Sequence, residues 1–300
     1  MTLPTLFPLP WSQAPLQTLT LPSGTIHIQR DDLLHPVISG NKWRKLTGWL
    51  DHARQHRKHT LLTYGGAYSN HLVATACLAR HCGLHSIGII RGEEPMENLH
   101  LTAARRYGMT LWPVTREMYR DKARALDHVR SLLHPYSKSV DWPGVLVIPQ
   151  GGSGLEAYAG FATLLAGWQD QGFTPQAILH ASATGTTATG LALAVAQARL
   201  TSKILAVPVL HNLPEQQAPG ILHGVSDGIQ WLIGFETGGY AKTTPALRKF
   251  CQDFTSRHHI PCEPIYTGKA LHALTHLIET GALNPQGLVF LHTGGVLDLS

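Results

Sequence analysis

Short apolar runs alternate with longer segments of helical periodicity along most of the chain. The apolar runs predict strands at Thr60–Thr63, Ser86–Ile90, Thr110–Val114, Val145–Pro149, Ala177–Ala181, Lys203–Leu210, Cys262–Ile265 and Gly287–Leu291. The longer segments predict helices over Asn70–His81, Glu97–Tyr107, Met118–Leu133, Glu156–Asp170, Thr187–Leu200, Pro245–His258 and Lys269–Thr280. This alternation is typical of parallel sheets covered by helices, so the sequence predicts an α/β fold.

The number of strands is too large for one ordinary sheet. We therefore expect two lobes, each a mostly parallel sheet flanked by helices. Ordinary loops near residues 45 and 152 are expected to join them, since the sequence has no Pro/Ser-rich linker. This gives a large domain of 1–45 with 153–300 and a small domain of 46–152. Ligands bind such sheets beyond the carboxyl ends of the strands, so the strand–turn–helix junctions are the expected sites of chemistry.

Composition narrows the class of protein. Hydrophobic residues make up 43% of the 300 residues and charged residues 14%, as is usual for a globular protein. The net charge is +5, but the basic residues are scattered, and such a diffuse positive field suits an anionic small molecule as well as it suits nucleic acid. No recognition motif accompanies the charge, so nucleic-acid binding is not expected. The apolar N-terminus lacks a basic region and is broken by prolines, and no run of about twenty apolar residues occurs. A soluble, cytoplasmic protein without a membrane segment is expected.

The cysteines and histidines show no metal-binding spacing. The four cysteines, which form no CxxC pair, are Cys77, Cys82, Cys251 and Cys262. The histidines lack a third ligand at a suitable spacing. Free, buried thiols in a reducing compartment and no metal site are therefore expected.

Small and hydroxyl-bearing residues follow one predicted strand, in the sequence Ala-Thr-Gly-Thr-Thr-Ala-Thr-Gly of residues 183–190. Backbone N–H groups, hydroxyls and the positive end of a helix dipole converge at such a junction, which favours a phosphate. Neither a Walker sequence nor GxGxxG is present, so a phosphate monoester fits better than a pyrophosphate. A tight packing turn is the alternative.

Two further segments carry residue types suited to a ligand. In Tyr64–His71, paired glycines precede Ser69 and Asn70, either of which can cap a helix or contact a ligand. A glycine turn with a helix cap is the alternative there. In Ser39–Leu46, Lys42 and Lys45 share a helix face, so one can be covalently bound while the other meets a phosphate. Taken alone, this segment is also an ordinary basic helix start.

Together these segments resemble the D-cysteine desulfhydrase and aminocyclopropane-carboxylate deaminase group of the tryptophan-synthase-β-like pyridoxal-phosphate (PLP) enzymes of fold type II. The resemblance covers nearly the whole chain in order. Its matched segments are His27–Leu33, Gly40–Lys42 with Arg44–Leu46, Gly65–Gly66 with Ser69–His71, Gly151–Ser153, Tyr266–Lys269 and His292–Gly295. It implies PLP as the cofactor, a small amino acid as the substrate and a homodimer.

The resemblance implies roles for individual residues. Lys42 is similar to the Schiff-base lysine, which also moves the Cα proton. The implied cofactor-binding residues are Lys42, Lys45, Asn70, Thr184, Gly185, Thr186, Thr187, Ala188, Thr267 and Thr293. The implied substrate-binding residues are Ser69, Asn70, His71, Tyr240 and Tyr266, and the implied catalytic residues are Lys42, Ser69, Tyr240 and Tyr266. For Tyr240, whose surroundings depart from the family pattern, a core tyrosine is the alternative.

Two positions depart from the deaminase pattern. Thr267 stands where deaminases carry a Glu beside the pyridine nitrogen, and Thr293 where they tend to carry Leu. Opening a cyclopropane ring expels carbon and needs a strongly electron-withdrawing cofactor, whereas a thiolate leaves easily. Alternatively, Thr267 merely caps a helix that begins at Gly268.

We therefore expect β-elimination from D-cysteine, or a similar small D-amino acid, to pyruvate, ammonia and sulfide. One alternative is deamination of 1-aminocyclopropane-1-carboxylate to 2-oxobutyrate and ammonia. Another is a PLP-binding protein without lyase activity.

Overall fold

The computed structural model describes residues 14–92, 97–133, 141–210, 226–239 and 241–295. The chain divides into two units. Among the described residues, one unit comprises 45–157 and the other comprises 14–44 with 158–295. The boundaries fall within two helices, α1 (Asn41–Gln55) and α6 (Leu155–Asp170). Each unit has its own sheet.

The unit 45–157 is organised by a four-stranded parallel sheet. Its strands are β3 (Thr60–Gly66), β4 (His85–Arg91), β5 (Met109–Val114) and β6 (Val145–Ile148), in the order β5-β4-β3-β6. Its helices are α2 (Asn70–His81), α3 (Leu99–Arg106), α4 (Arg116–Arg120) and α5 (Lys122–Leu133), besides parts of α1 and α6. Leu61 and Leu62 on β3 are both fully buried, as in a sheet whose two faces are covered.

The unit 14–44 with 158–295 is organised by a six-stranded sheet. Its strands are β1 (Leu16–Leu21), β2 (Gly24–Gln29), β7 (Ala177–Ser182), β8 (Lys203–Pro208), β9 (Ile229–Trp231) and β10 (Leu288–Leu291), in the order β1-β2-β10-β7-β8-β9. Only β1 is antiparallel, since it forms a hairpin with β2. Its helices, besides parts of α1 and α6, are α7 (Thr186–Gln197), α8 (Pro245–His258) and α9 (Thr267–Glu279).

The α/β fold with two mostly parallel sheets flanked by helices confirms the fold class that the sequence predicts. The predicted helices Asn70–His81 and Pro245–His258 agree with α2 and α8 at both ends. Each begins after a hydroxyl side chain that accepts a hydrogen bond from the third residue on. The starts of these two helices can therefore be predicted from the capping residues in the sequence.

Two predicted elements are wrong. Cys262–Ile265 is not a strand: it is irregular chain and a turn leading into α9, with Cys262 only partly buried. The Glu263 carboxylate accepts the N–H of Ile265, which is thereby unavailable to a neighbouring strand. The predicted helix Met118–Leu133 is two helices, because the backbone of Asp121 is extended (φ −97°, ψ 101°) and interrupts it. The Asp121 carboxylate accepts the Arg124 N–H at the start of the second helix.

β1 and β9 have no counterpart among the predicted strands, whereas β2 overlaps His27–Leu33, which resembles the entry strand of the family. Within the part of the chain that the structure describes, no helix is both long and apolar enough to cross a membrane.

Candidate active site

The segment after β7 forms a helix N-terminus with unused backbone donors. Gly185 precedes α7 with a left-handed backbone (φ +70°), and as a glycine it has no side chain that could cap the helix. Among the described residues, no acceptor bonds the N–H groups of Thr186, Thr187 and Ala188, all of which are buried. The hydroxyls of Thr184 and Thr186 lie 2.9 Å apart. Buried, unpaired N–H groups at the positive end of a helix are suited to an anion.

We call residues 184–188, which carry these N–H groups, the α7 cradle. The start of α1 packs directly against the α7 cradle. Asn41 Nδ2 donates to Thr187 Oγ1 at 3.2 Å, and Asn41 N donates to the Thr293 carbonyl at 3.2 Å. Gly40 has φ +62°, and a Cβ there would lie 2.0 Å from the Thr293 carbonyl oxygen, so only glycine fits. Asn41 Oδ1 is buried without a hydrogen-bond partner among the described residues. A buried amide oxygen is expected to have one, so a ligand donor suits this position.

Lys42 follows Asn41 on α1. Burial lowers the pKa of the Lys42 amine to about 8, although the negative charge of Glu263 acts in the opposite direction. The amine lies 5.8 Å from the centroid of the Tyr266 ring. Within the described part of the chain it makes no hydrogen bond. By contrast, Lys269 Nζ donates to two carbonyl oxygens, of Glu236 and Gly239, at 2.7 and 2.8 Å.

Glu263 organises the start of α9. Its carboxylate accepts the N–H groups of Ile265, Tyr266 and Thr267 at 2.7–2.8 Å. Burial raises the pKa of the Glu263 carboxyl, an effect that the three N–H bonds partly offset. Glu263 thus places Tyr266 and Thr267 at the helix N-terminus, where Tyr266 lies beside the Lys42 amine.

Thr267 is fully buried, and its hydroxyl belongs to this cluster. Thr267 Oγ1 donates to Glu263 Oε1 at 3.2 Å and accepts the Glu263 N–H at 3.4 Å. α9 begins at Thr267 itself: the Thr267 N–H donates to the Glu263 carboxylate, and the Gly268 N–H donates to the Glu263 main-chain carbonyl. The alternative that Thr267 caps a helix beginning at Gly268 is therefore wrong.

A buried ion pair anchors the first turn of α1. Arg44 Nε and Nη2 donate to Asp31 Oδ2 and Oδ1 at 2.6 and 2.7 Å. The side chains are 7% and 1% exposed, and the Asp31 carbonyl accepts the Gly40 N–H at 2.9 Å. Asp31 therefore holds α1 on both sides of Lys42.

In the unit 45–157, the predicted substrate residues follow the carboxyl end of β3. Ser69 caps α2 by accepting the Leu72 N–H at 3.4 Å. Asn70 Oδ1 pairs with His100 Nε2 at 2.9 Å, which leaves the Asn70 amide group to donate. Lys45, also in this unit, donates from Nζ to the Gly151 carbonyl at 3.4 Å.

His71 is held by a buried threonine of β3. The Thr63 hydroxyl donates its single proton to the Ile148 carbonyl at 2.9 Å. His71 Nε2, which lies 2.9 Å from Thr63 Oγ1, must therefore be the donor to that oxygen. The ring orientation of His71 is fixed from within its own unit.

The predicted site residues divide between the two units. Lys42, Thr184–Ala188, Tyr266, Thr267 and Thr293 lie in the unit 14–44 with 158–295, and Lys45, Ser69, Asn70 and His71 lie in the unit 45–157. Tyr240 lies outside the described residues. Sequence reasoning gave no role to Asn41 or Glu263. An acidic residue four positions before a helix start could have indicated Glu263, but nothing local indicated Asn41.

The residues beside Lys42 fit the cofactor that the resemblance implies. The N–H groups of α7 suit a phosphate, and the low-pKa amine of Lys42 suits a Schiff base with an aldehyde. The unpaired Asn41 Oδ1 is available to a donor on the same ligand.

Comparison with known proteins agrees with this fit. The family described as "Pyridoxal-phosphate dependent enzyme" matches residues 8–294. A "Bifunctional D-cysteine desulfhydrase/1-aminocyclopropane-1-carboxylate deaminase, mitochondrial" from Arabidopsis thaliana is 29% identical over 93% of this chain and 74% of its own. A "D-cysteine desulfhydrase" from Salmonella newport is 28% identical over 90% of this chain and 86% of its own. The crystal structure of an "ACC deaminase homologue", 24% identical, matches with a TM-score of 0.76 over 98% of this chain and 95% of its own, which shows the fold.

Proposed function

The chain belongs to the pyridoxal-phosphate dependent enzyme family, and on this premise we propose that it catalyses β-elimination from D-cysteine or a similar small D-amino acid. Its cofactor is pyridoxal 5'-phosphate, and its substrate is a small amino acid. In the proposed reaction the Cα–H and Cβ–S bonds break, and water replaces the amino nitrogen. D-Cysteine and water thereby give pyruvate, ammonia and hydrogen sulfide.

The observation that supports this proposal most directly is the state of the Lys42 amine. With a pKa of about 8 rather than 10.5, about a tenth of the amine is unprotonated at pH 7, far more than for an ordinary lysine. An unprotonated amine is both a nucleophile and a base, so Lys42 can bind the cofactor covalently and later accept the Cα proton. When bound, PLP supplies the electron sink that stabilises the carbanion left by that proton.

The neighbouring residues have matching proposed roles. The N–H groups of Thr186, Thr187 and Ala188 hold the phosphate, with Thr184 and Gly185 shaping the turn before them. We assign Lys45 to the same phosphate on the strength of the resemblance. Tyr266, held by Glu263 beside the Lys42 amine, orients the substrate and moves a proton.

Residues of the unit 45–157 complete the proposal. The Asn70 amide, whose oxygen pairs with His100, donates to the phenolic oxygen of the cofactor. Ser69 and His71 bind the substrate carboxylate. For Tyr240, the proposed role as a second active-site tyrosine rests on the resemblance.

Specificity for a thiolate leaving group is proposed from Thr267 and Thr293. Neither is a carboxylic acid that could protonate the pyridine nitrogen, and a thiolate needs that proton less than carbon does. A relative named D-cysteine desulfhydrase supports this choice. The second candidate, deamination of 1-aminocyclopropane-1-carboxylate, is supported by the bifunctional name of the Arabidopsis relative.

Two measurements on the purified holoenzyme test the proposal. Borohydride reduction followed by peptide mapping should label Lys42, whereas a label on Lys45 or Lys269 would refute the assignment. A substrate panel should then release sulfide and pyruvate from D-cysteine with a kcat/KM at least tenfold above that for 2-oxobutyrate release from the cyclopropane substrate. Each factor of ten is about 1.4 kcal/mol of transition-state stabilisation. The reverse preference would favour the deaminase. A label on Lys42 without turnover of any substrate would favour the non-catalytic alternative.

Three broader features are proposed with this function. A homodimer rests on the resemblance. A cytoplasmic location rests on the four free cysteines, three of which are buried. The division into a large domain of 1–45 with 153–300 and a small domain of 46–152 remains a prediction.

A further inference from the structure

The unit 45–157 contains a concave pocket dominated by positive charge. Its volume is about 420 Å³. We name it the Arg91 pocket; its lining residues are Arg91, Arg116, Tyr119, Arg120, Lys122 and Gln150. Four of these six are cations and none is acidic.

The Arg91 pocket lies at the carboxyl edge of the four-stranded sheet. Arg91 is the last residue of β4, and Gln150 follows β6. The other lining residues lie on α4 and α5, which follow β5. Loops at this edge of a parallel sheet are where ligands usually bind.

The buried Tyr119 fixes Lys122 and Gln150 at the base of the pocket, while the arginines around it are exposed. Lys122 Nζ donates to the Tyr119 carbonyl and lies 3.4 Å from the centroid of the Tyr119 ring. The buried Tyr119 hydroxyl donates to Gln150 Oε1 at 3.1 Å. Burial raises the pKa of Tyr119, so this hydroxyl stays a donor. The tyrosine thus ties α4 to the segment after β6.

Three of the four cations of the pocket lack a carboxylate partner among the described residues: Arg91, Arg120 and Lys122 make no ion pair there. Burial lowers the pKa of Lys122, and the Arg91 charge lowers it further, which places these two cations close together. Like charges held close together in a concave pocket create a strongly positive potential, which favours the binding of an anion.

We propose that the Arg91 pocket binds a small oxyanion, either free or as the acidic group of a small metabolite. Guanidinium groups offer paired N–H donors that match carboxylate and phosphate oxygens. A volume of about 420 Å³ lies in the range of small-molecule sites, roughly 300–1,000 Å³, and leaves room for an organic group beside the anion. This site is separate in residues and in unit from the α7 cradle.

The position of Arg91 also connects the pocket to the loop after β3. Arg91 Nη2 lies 4.0 Å from where a Cβ of Gly66 would be, and the Gly66 carbonyl accepts the Ser69 N–H at 3.1 Å. An oxyanion bound by Arg91 would therefore lie near the loop that carries the proposed substrate residues.

Calorimetric titration of the PLP-saturated holoenzyme with inorganic phosphate tests the proposal, because PLP then occupies the α7 cradle. Ionic strength is held constant with chloride. One saturable site is expected. Arg91→Gln should weaken it at least about tenfold, since it removes a charge-assisted hydrogen bond. Arg80→Gln, an exposed arginine on α2, is the matched control and should leave the affinity unchanged.

Two outcomes would overturn the proposal. One is the absence of saturable binding up to about 10 mM phosphate; the other is equal affinity in wild type and Arg91→Gln. Circular dichroism of both variants checks that each is folded. A three-carbon phosphate monoester and a four-carbon dicarboxylate are titrated in parallel to identify the source of the anion. If either compound binds more tightly than inorganic phosphate and this advantage is lost in Arg91→Gln, the ligand is a metabolite. Otherwise the ligand is the free anion. Neither reading requires D-cysteine turnover, so this test can fail or succeed independently of the proposed function.

Discussion

Breaking the Asp31–Arg44 ion pair should disturb the position of Lys42 relative to the α7 cradle. Arg44→Met removes the guanidinium and leaves the Asp31 carboxylate, 1% exposed, with the Gln29 side-chain amide as a donor at 3.1 Å. Gly40 and Lys42 lie between the two partners in sequence. We expect Arg44→Met to lower both the stability of the fold and the affinity for PLP.

The magnitude follows from the burial of the pair. Removing one partner of a buried, bidentate ion pair leaves an uncompensated charge and costs about 3–5 kcal/mol. Replacing both partners by apolar residues avoids that cost, so Asp31→Leu/Arg44→Met should lose much less than the sum of the single variants. The coupling free energy of this double-mutant cycle should then be on the order of 2 kcal/mol or more.

The assay is urea unfolding of the apoprotein, followed by far-ultraviolet circular dichroism and tryptophan fluorescence. Coincidence of the two curves checks that a single free energy of unfolding is meaningful for a chain of two units. PLP affinity is measured separately from the visible absorbance of the bound cofactor.

A second buried pair provides the matched control. Arg30 donates from Nε and Nη2 to the Asp32 carboxylate at 2.7–3.2 Å, with side chains 6% and 9% exposed. Arg30→Met should cost a similar free energy of unfolding but change PLP affinity much less, because Arg30 is not on α1. Equal losses of PLP affinity in Arg44→Met and Arg30→Met, or strict additivity in the double-mutant cycle, would refute the reasoning.

Two further predictions concern the cradle and the amine. Gly185→Ala and Gly172→Ala, at φ +70° and +69°, should each lose about 1–2 kcal/mol from backbone strain, but only Gly185→Ala should weaken PLP binding, as titration of both variants can check. Because burial depresses the pKa of Lys42 from 10.5 to about 8, its contribution to stability is full above pH 10.5 and is lost as the pH falls through 8. Apoprotein should therefore gain on the order of 3 kcal/mol relative to Lys42→Met between pH 8 and 10.5. In Glu263→Gln the gain should begin at lower pH, since loss of the carboxylate charge lowers the Lys42 pKa further; an unchanged profile would contradict the assigned interaction.

The elements that the sequence predicts well are those specified by residues close together in the chain. The start of α2 at Asn70 depends on the Ser69 hydroxyl and the Leu72 N–H, three positions apart. The turn before α7 depends on Gly185, which adopts the left-handed backbone that other residues avoid. Such information is local, so the sequence alone was sufficient.

Contacts between residues that are far apart in the chain could not be predicted from local sequence. Arg44 meets Asp31 only after the intervening turn brings α1 back to it, and Asn41 reaches Thr187 across 146 positions. Composition gives no indication of either contact. The false strand at Cys262–Ile265 has a different, local origin: its apolar residues suit a strand, but the Glu263 carboxylate accepts the N–H groups of Ile265 and Tyr266, two and three positions on.

Glu263 also changes the specificity hypothesis that rests on Thr267. The Thr267 hydroxyl has one proton, and that proton is donated to the Glu263 carboxylate, so it is not available to a pyridine nitrogen at the same time. Burial raises the pKa of Glu263, and the N–H groups and the Thr267 hydroxyl that the carboxylate accepts oppose that rise. Any influence of Thr267 on the cofactor therefore competes with its hydrogen bond to Glu263. A glutamate at position 267 would set two carboxyl groups side by side in a buried cluster, where both cannot ionise at low cost. For this reason Thr293, outside that cluster, is the better position at which to test leaving-group preference.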